Sequence, residues 1–543
     1  MPTVEFKTDE FLKLVGKSLP LEELGYKIAM LGTDPDEISD EKLVIEVFPN
    51  RPDLLSIEGF TKALRDFIGE GKEFKEIPVT EAKENIKVDL SVADIRLHIV
   101  AAIVRNVKID VKILESIMQV QESLHISHGR KRAKVAIGIH DLDTLQGPFE
   151  YKAMKPTSLN FVPLDFKESM SLGHVLQKHP KGQQYKHLLE GNELIPVVSD
   201  QKGVVSMPPI INADRTRVTE KTKNLFIEVT GTNKHAVHKA LNIILMSLSE
   251  RGGQVEAVNV GKEKSPRLNS ESVLLKTNYA TKLLGVDLGV EDFKKLLGRM
   301  GYGVTKATDA EIEVLVPSYR TDVLHPIDIV EDLAIAYGYE NFPSKAPNIN
   351  TVASEEKLNS FSSELRRLMI GMGFQEIVNF VLTNEKKLED AHVKGEPIKI
   401  KNPRVEEFTV IRNSLLPGLL ECFASNKKKG MPQKIFELDD VVLSKKDFRN
   451  KVHLSFGKMN QEVNLAEIQA TVKAVLDSLG VTYKLNESNE SGFIPGRCGR
   501  VNIGREKAGC FGEVHPEILE AFGIDYPIII AELDIDCVYS SLS

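Results

Sequence analysis

Three carboxylates at helical spacing, Asp328, Glu331 and Asp332, follow Pro326, and a fourth, Asp322, precedes them in the run PSYRTDVLHPIDIVEDLAIAYGY. Proline suits the first turn of a helix. Beyond it Val330, Leu333, Ala334 and Tyr337 fall at i, i+3, i+4 and i+7, an apolar stripe with the acids expected opposite. Like charges at these spacings repel by about 0.2–0.5 kcal/mol per pair in an isolated helix, so something must compensate. Two compensations are open. The helix dipole favours acids in the first turn by about 0.3–1 kcal/mol, and four hard oxygen donors suit Mg²⁺, which keeps several waters and avoids soft ligands. Other groups say less. His125-Ile126-Ser127-His128-Gly129 is too short to specify a nucleotide site, and its histidines are expected at the surface. The basic clusters Arg130-Lys131-Arg132-x-Lys134 and Lys427-Lys428-Lys429 suit phosphates or simply solvated faces. A phosphate loop, a Gly-x-Ser-x-Gly elbow, a His-Glu-x-x-His helix and an EF-hand loop are all absent from the sequence, so the common self-contained enzymes are unsupported. Cys422, Cys498, Cys510 and Cys537 form no Cys-x-x-Cys pair and are expected as buried or idle thiols.

These residues need a framework, and at ~150 residues per domain the 543-residue chain should supply three or four domains. Hydrophobic residues at 42% and charged residues at 27% exclude a disordered or fibrous chain. With 70 Lys and Arg against 78 Asp and Glu the net charge is −8, so any nucleic acid must meet a local patch. No run reaches the ~18 apolar residues of a membrane helix. Glu5, Asp9 and Glu10 stand where a secretory signal would be apolar, so a cytoplasmic location is expected.

Along the chain, a helix opened by Ser18 and Pro20 stops at Gly32, a strand covers Lys42 to Phe48, and the turn Phe48-Pro49-Asn50-Arg51-Pro52-Asp53 leads into a helix with Ile57, Phe60, Leu64 and Phe67. A charged stretch, Gly69 to Glu84, ends this first segment. From Asn85 to Lys264 strands such as Ile99 to Val107, Lys134 to Ile139 and Leu225 to Val229 alternate with helices such as His238 to Leu248, which predicts an α/β domain. Gly261-Lys262-Glu263-Lys264-Ser265-Pro266 is expected as a linker. A compact domain over 267–343 follows, and a final segment from Pro347 opens with a helix over Leu358 to Met372 and continues mostly as strands.

The run PSYRTDVLHPIDIVEDLAIAYGYENFP is similar to the signature of one domain in phenylalanyl-tRNA synthetase beta subunits. FPNRPDLLSIEG, KVAIGIHDLD, SMPPIINADRTRVTEKTKNLFIEVTGTN, RRLMIGMGFQEIVNFVLTN and IRNSLLPGLLE resemble the same family in the right order, over essentially the whole chain. Without an oligonucleotide-binding insertion or an anticodon-binding extension, the chain resembles the archaeal and eukaryotic form. Thr61-Lys62 and Asn233 are small departures from the pattern. The resemblance implies a multidomain α/β and α+β fold: an N-terminal α+β domain over 1–84, an editing α/β domain over 85–264, a small winged-helix-like domain with the acidic helix over 267–343, and a noncatalytic class II synthetase-like antiparallel sheet module over 347–543. It further implies an (αβ)₂ heterotetramer in which the alpha subunit forms phenylalanyl adenylate from ATP and charges the tRNA for phenylalanine. Asp322, Asp328, Glu331 and Asp332 match the family's magnesium positions, the ion being shared with the alpha subunit. A class II site needs arginines on the ATP phosphates. Gly496-Arg497-Cys498-Gly499-Arg500 lacks the glycine alternation such a site carries and is expected as a structural turn.

Family resemblance also places hydrolysis of misacylated tyrosyl-tRNA in the second segment. Tyrosine is phenylalanine plus a hydroxyl, which an apolar pocket rejects by only about 10². A second sieve for tyrosine needs a buried acceptor for the phenol, because phenylalanine then leaves that acceptor unpaired. Glu228, in a strand that runs into the Gly231 turn, is the first candidate, with Thr230, Ser206 and Asn212 after it. No Ser-His-Asp or Cys-His set is legible, so water activation is expected from backbone groups or from the tRNA. A free-standing aminoacyl-tRNA deacylase and a noncatalytic tRNA-docking scaffold are the competing readings; the first has no use for a degenerate synthetase module, the second none for a polar pocket around Glu228.

Overall fold

The computed structural model describes residues 2–443 and 448–542, and the chain divides into two compact units, Met1–Ala346 and Pro347–Ser543. In the first unit, strands Thr3–Lys7, Lys42–Glu46 and Asp34–Ile38 form a small antiparallel sheet. The helices Leu21–Met30 and Ile57–Phe67 stand where hydrophobic periodicity puts them. Ser56 caps the second, accepting from the Gly59 amide, and its hydroxyl meets that of Ser247 at 2.7 Å on the helix Lys234–Glu250.

A ten-stranded sheet holds Glu228 and the strands around it. Its order is Ile211–Asn212, Gly203–Met207, Ile195–Asp200, Phe149–Met154, Val79–Val88, Gln254–Val260, His98–Arg105, Leu225–Gly231 and Val135–Asp141, with Glu263–Ser265 paired to Gln254–Val260. All pairings are antiparallel except the two made by Val79–Val88. That strand crosses the 84/85 boundary drawn from sequence, because the charge within Gly69 to Glu84 hides a strand that lies inside the sheet, between Phe149–Met154 and Gln254–Val260. The expected linker at 261–266 is a hairpin in which Val258, Asn259 and Val260 pair with Ser265, Lys264 and Glu263; its charged side chains are those of an exposed outer strand. Leu225–Gly231 is buried throughout and sits between two partner strands. Alternation along it sends Leu225, Ile227 and Val229 into the core shared with the Lys234–Glu250 helix, and leaves Phe226, Glu228 and Thr230 on the other face.

The segment from Glu271 to Tyr337 has a three-stranded antiparallel sheet, Glu271–Lys276, Glu311–Val316 and Gly303–Ala307, with helices Thr277–Leu284, Val290–Arg299 and Pro326–Tyr337. The second unit is built on a seven-stranded sheet, antiparallel except for its first pair, in the order Gln375–Glu376, Gln433–Val441, Lys451–Met459, Ile528–Asp534, Glu506–Val514, Phe493–Ile503 and Lys484–Glu487. Leu365, Met369, Val472 and Leu476 from two helices cluster with Phe436, Leu454 and Ala531 of the sheet. Leu419, Leu420 and Phe423 from a third helix cluster with Ile435 and Ile530. Gly496-Arg497-Cys498-Gly499-Arg500 is not a turn: it lies inside the Phe493–Ile503 strand, where the register shifts between Phe493 and Cys498. Its glycines serve a bulge and a close approach, since a Cβ on Gly499 would stand 2.5 Å from the Phe511 ring.

Candidate functional site

Glu228, Thr230, Ser206 and Asn212 line one cavity of about 530 Å³. Cross-strand register builds it: Glu228 lies opposite Gly138, Thr230 opposite Ala136 and Phe226 opposite His140, so alternate residues of two strands share one face. Glu228 is 2% exposed. Its Oε1 accepts from the Ser206 hydroxyl at 2.7 Å and lies 3.8 Å from His140 Nε2, while its Oε2 is buried with no hydrogen-bond partner. Gly138 is glycine because a Cβ there would stand 2.4 Å from Glu228 Oε1 and 2.7 Å from His140 Nε2. Asn212 donates weakly to the Ile139 carbonyl at 3.4 Å.

Arg96 supplies positive charge beside this carboxylate. It is buried, and its guanidinium donates to Thr230 Oγ1 at 2.9 Å, to the Thr230 carbonyl at 2.8 Å and to the Ala133 carbonyl at 3.3 Å. Those acceptors are all neutral. Burial pulls Arg96 down to about 10, and the charges of Tyr151 and Glu228 oppose that fall. Ser206 is not a nucleophile of a triad, since its proton goes to Glu228 rather than to a histidine. His125 Nε2 accepts from the Ile137 amide at 2.8 Å, and His140 Nδ1 meets Thr216 Oγ1 at 2.8 Å.

Several lining residues were not foreseen. His125, expected at the surface, is 2% exposed; the strand Val135–Asp141 covers it. Its hydrogen bond, with Arg132 assisting, holds Glu122 down at about 2, and burial lowers His125 itself. Within the basic cluster, Arg130 and Lys131 are exposed as a solvated face requires, but Arg132 turns in. It donates to the Ile210 carbonyl at 2.9 Å and to Glu122 at 3.2 Å, and lies 4.6 Å over the Tyr185 ring. Arg130, Lys131 and Arg132 have φ of 50°, 52° and 69°, a left-handed turn costing roughly 1–2 kcal/mol per residue at the cavity wall. The paired histidines and the Gly-x-His of KVAIGIHDLD were the available signals. Arg96, far away in sequence, gave none.

The acidic helix is Pro326–Tyr337, and its carboxylates part company. Asp328 Oδ2 accepts from the Leu324 and His325 amides at 2.7 Å each, within a capping box. Asp332 is not on the outer face. It is buried and accepts from the Tyr302 hydroxyl and from Arg320 at 2.6 Å. Asp322 takes the same guanidinium in a fork, 2.9 Å and 2.6 Å. Glu331 is exposed. The compensation is therefore a helix N-terminus for Asp328 and an arginine for Asp322 and Asp332. Arg51 and Asp53 form an identical fork nearby, 2.9 Å and 2.8 Å, and Thr321 donates to the Asn50 carbonyl at 3.2 Å. Both forks are made by an Arg-x-Asp run, Arg51-Pro52-Asp53 and Arg320-Thr321-Asp322. Among the described residues no group of three or more His, Cys, Asp or Glu side chains is arranged to hold a metal ion.

In the second unit Arg497 pairs with Glu513 and Arg500 with Glu490, each at 2.7 Å. Ser414 and His453 both bond to Glu532, at 2.6 Å and 2.7 Å. The four cysteines are free; burial pushes Cys510 up to about 12 and Cys537 to about 11.

Comparison with known proteins gives three family matches in chain order: the B3/4 domain over 101–260, the tRNA synthetase B5 domain over 273–339, and the phenylalanyl tRNA synthetase beta chain CLM domain over 342–535. A phenylalanine–tRNA ligase beta subunit of Methanothrix thermoacetophila is 39% identical, covering 98% of this chain and 100% of its own. One from Archaeoglobus fulgidus is 38% identical, covering 100% and 99%. A crystal structure of an N-terminal fragment of the phenylalanyl-tRNA synthetase beta subunit from Pyrococcus horikoshii superposes with a TM-score of 0.59 at 34% identity, covering 62% of this chain and 99% of the fragment.

Proposed function

This chain belongs to the phenylalanine–tRNA ligase beta-subunit family, a subunit of that ligase acting in phenylalanyl-tRNA synthesis, and on that premise we propose that its 530 Å³ cavity hydrolyses tyrosyl-tRNA. One observation carries the reading: Glu228, whose Oε2 is buried with no partner, lines a cavity with Ser206, Thr230 and Asn212. A tyrosine phenol entering there donates to Oε2. Phenylalanine leaves the oxygen unpaired and pays the desolvation. Because Ser206 gives its proton to Glu228 and both His125 nitrogens are engaged, attack on the ester falls to water, held by backbone groups or by the tRNA itself.

The family uses ATP and Mg²⁺ in the holoenzyme, and implies an alpha-subunit partner and tRNA. No helix among the described residues is long and apolar enough to cross a membrane. We place the synthetic site on the alpha subunit and the assembly as (αβ)₂ in the cytoplasm. The pairing of Arg497 and Arg500 with carboxylates supports a class II-like module that does not clamp ATP. Three helices on a three-stranded sheet support a winged-helix-like small domain.

For Mg²⁺, Glu331 and Asp328 Oδ1 fit a hydrated ion bound through one or two carboxylates. Asp322 and Asp332 join such a set only by sharing their bonds to Arg320. When bound, the ion would supply positive charge to these carboxylates and make the assembly depend on Mg²⁺. Asp328→Ala with Glu331→Ala should make the tetramer more sensitive to chelator; a double variant that withstands chelator as the wild type does removes these residues from the metal. The subunit reading itself is tested by phenylalanylation with this chain alone, an alpha chain alone and the co-purified pair. Activity in the pair only is expected; an alpha chain equally active alone would favour a separate deacylase or scaffold.

A further inference from the structure

A second cavity, about 560 Å³, opens on the helix side of the strand that carries Glu228, where the first turns of Lys234–Glu250 meet Arg267. Lys234, His235, His238, Lys239, Asn242 and Arg267 line it. The helix has no acid in its first turn, although its N-terminus favours negative charge and disfavours these cations. Two carboxylates answer three cations: Glu263 accepts from Lys234 and Arg267, and Glu271 accepts from Lys239. Both lie at the rim, 46% and 67% exposed, so one positive charge has no carboxylate of its own, and the helix end is met only by the neutral Asn233 cap, which accepts from the Ala236 amide at 2.9 Å.

The interior is polar and unpartnered. Both ring nitrogens of His238 and Oδ1 of Asn242 are buried with no hydrogen bond. Asn242 is 3% exposed, and its orientation is fixed because Nδ2 donates to the carbonyls of Arg267 and Ser318, at 2.9 Å and 3.2 Å. Oδ1 is therefore an acceptor waiting for a donor. Burial, with Arg267 and Lys234 adding their charge, pushes His238 down to about 4, in line with a field of surplus positive charge. Buried polar groups in native proteins find partners, and these have none within the chain. A ligand that satisfies the site must carry both negative charge and a hydroxyl or amino donor, and the volume is several times that of a bare phosphate.

We propose that this cavity binds a ribonucleotide unit, its phosphate against Lys234, Arg267 and the helix N-terminus, and a ribose hydroxyl or base amino group donating to Asn242 Oδ1. The unit comes either from a free mononucleotide or from an RNA strand, which share this chemistry. Titrating the full chain with AMP and with inorganic phosphate, and the complex with alpha subunit with uncharged tRNA at two salt concentrations, distinguishes them. Lys234→Gln with Arg267→Gln alters only rim residues and should fold. AMP binding the wild type about tenfold more tightly than phosphate, with at least about a tenfold loss in the double variant, identifies a free-nucleotide site. No AMP binding, with tRNA affinity lowered about threefold or more and a salt slope shallower by about one to two, identifies an RNA contact. Phosphate binding as tightly as AMP, or AMP and tRNA affinities that are the same in wild type and double variant, overturns the proposal.

Discussion

Replacing Glu228 with alanine removes the acceptor of the Ser206 proton, the orphaned Oε2, and a negative charge that buried Arg96 feels. A hydrogen bond to a charged group contributes about 1.5–3 kcal/mol, and about 1.4 kcal/mol corresponds to tenfold. Hydrolysis of tyrosyl-tRNA by the complex with alpha subunit should therefore slow by about ten- to a hundredfold in kcat/KM. Phenylalanyl-tRNA, which makes no such bond, should lose far less, and phenylalanylation should stay at its wild-type rate. The assay is single-turnover deacylation of the two preformed aminoacyl-tRNAs. The substitution also removes a negative charge that buried Arg96 feels, although the two make no ion pair, so thermal unfolding is followed in parallel. Ser206→Ala, which keeps the carboxylate, should show the same selectivity loss at smaller amplitude without that loss of charge. Equal losses for both aminoacyl-tRNAs, or an unchanged tyrosyl-tRNA rate in a folded Glu228→Ala complex, would refute the reasoning.

Gly138→Ala drives a methyl to 2.4 Å from Glu228 Oε1; the carboxylate must move, at about 1–3 kcal/mol of overpacking, and tyrosyl-tRNA deacylation should fall by about tenfold while phenylalanylation does not. Arg320→Met strands Asp322 and Asp332, whose side chains are 12% and 8% exposed, and should cost about 3–5 kcal/mol by urea unfolding; an unmoved midpoint would contradict the fork. In the second unit, burial disfavours both charges of the His453–Glu532 pair, yet their mutual bond raises His453 above 6.5 and, with Ser414, lowers Glu532 below 4.5. The histidine's contribution is present below pH 6.5 and lost as pH rises through its raised value; the glutamate's is present above pH 4.5 and lost as pH falls through its lowered value. The stability difference between wild type and His453→Gln should thus be greatest between pH 4.5 and 6.5 and shrink on either side; a pH-independent difference would count against the pair.

What was legible in the sequence follows the range of the interactions. Local signals located the helices Leu21–Met30 and Ile57–Phe67 and the His238 to Leu248 part of Lys234–Glu250, because those signals lie within one element. Glu228 was legible through a chemical requirement, a buried acceptor for a phenol, applied to a strand ending in glycine. Arg96, His125, His140 and Gly138 were not, since strand pairing for His140 and Gly138, and helix packing for Arg96 and His125, bring them near Glu228 across 88 to 132 positions of chain, which no local pattern encodes. In the acidic motif the helical spacing is legible, whereas the fork by which Arg320 holds Asp332 of the helix and Asp322 of the preceding loop is not, because spacing alone does not show where a long side chain reaches. Charge misled elsewhere: the 261–266 run reads as a linker and is a hairpin, and the Gly-Arg run at 496–500 reads as a turn and is a bulged strand.

The most direct test of the cavity reading is the ratio of kcat/KM for hydrolysis of tyrosyl-tRNA over phenylalanyl-tRNA by the wild-type complex with alpha subunit. A site built around an unpaired buried acceptor predicts a preference for tyrosyl-tRNA above about a hundredfold. Equal rates for the two would contradict it.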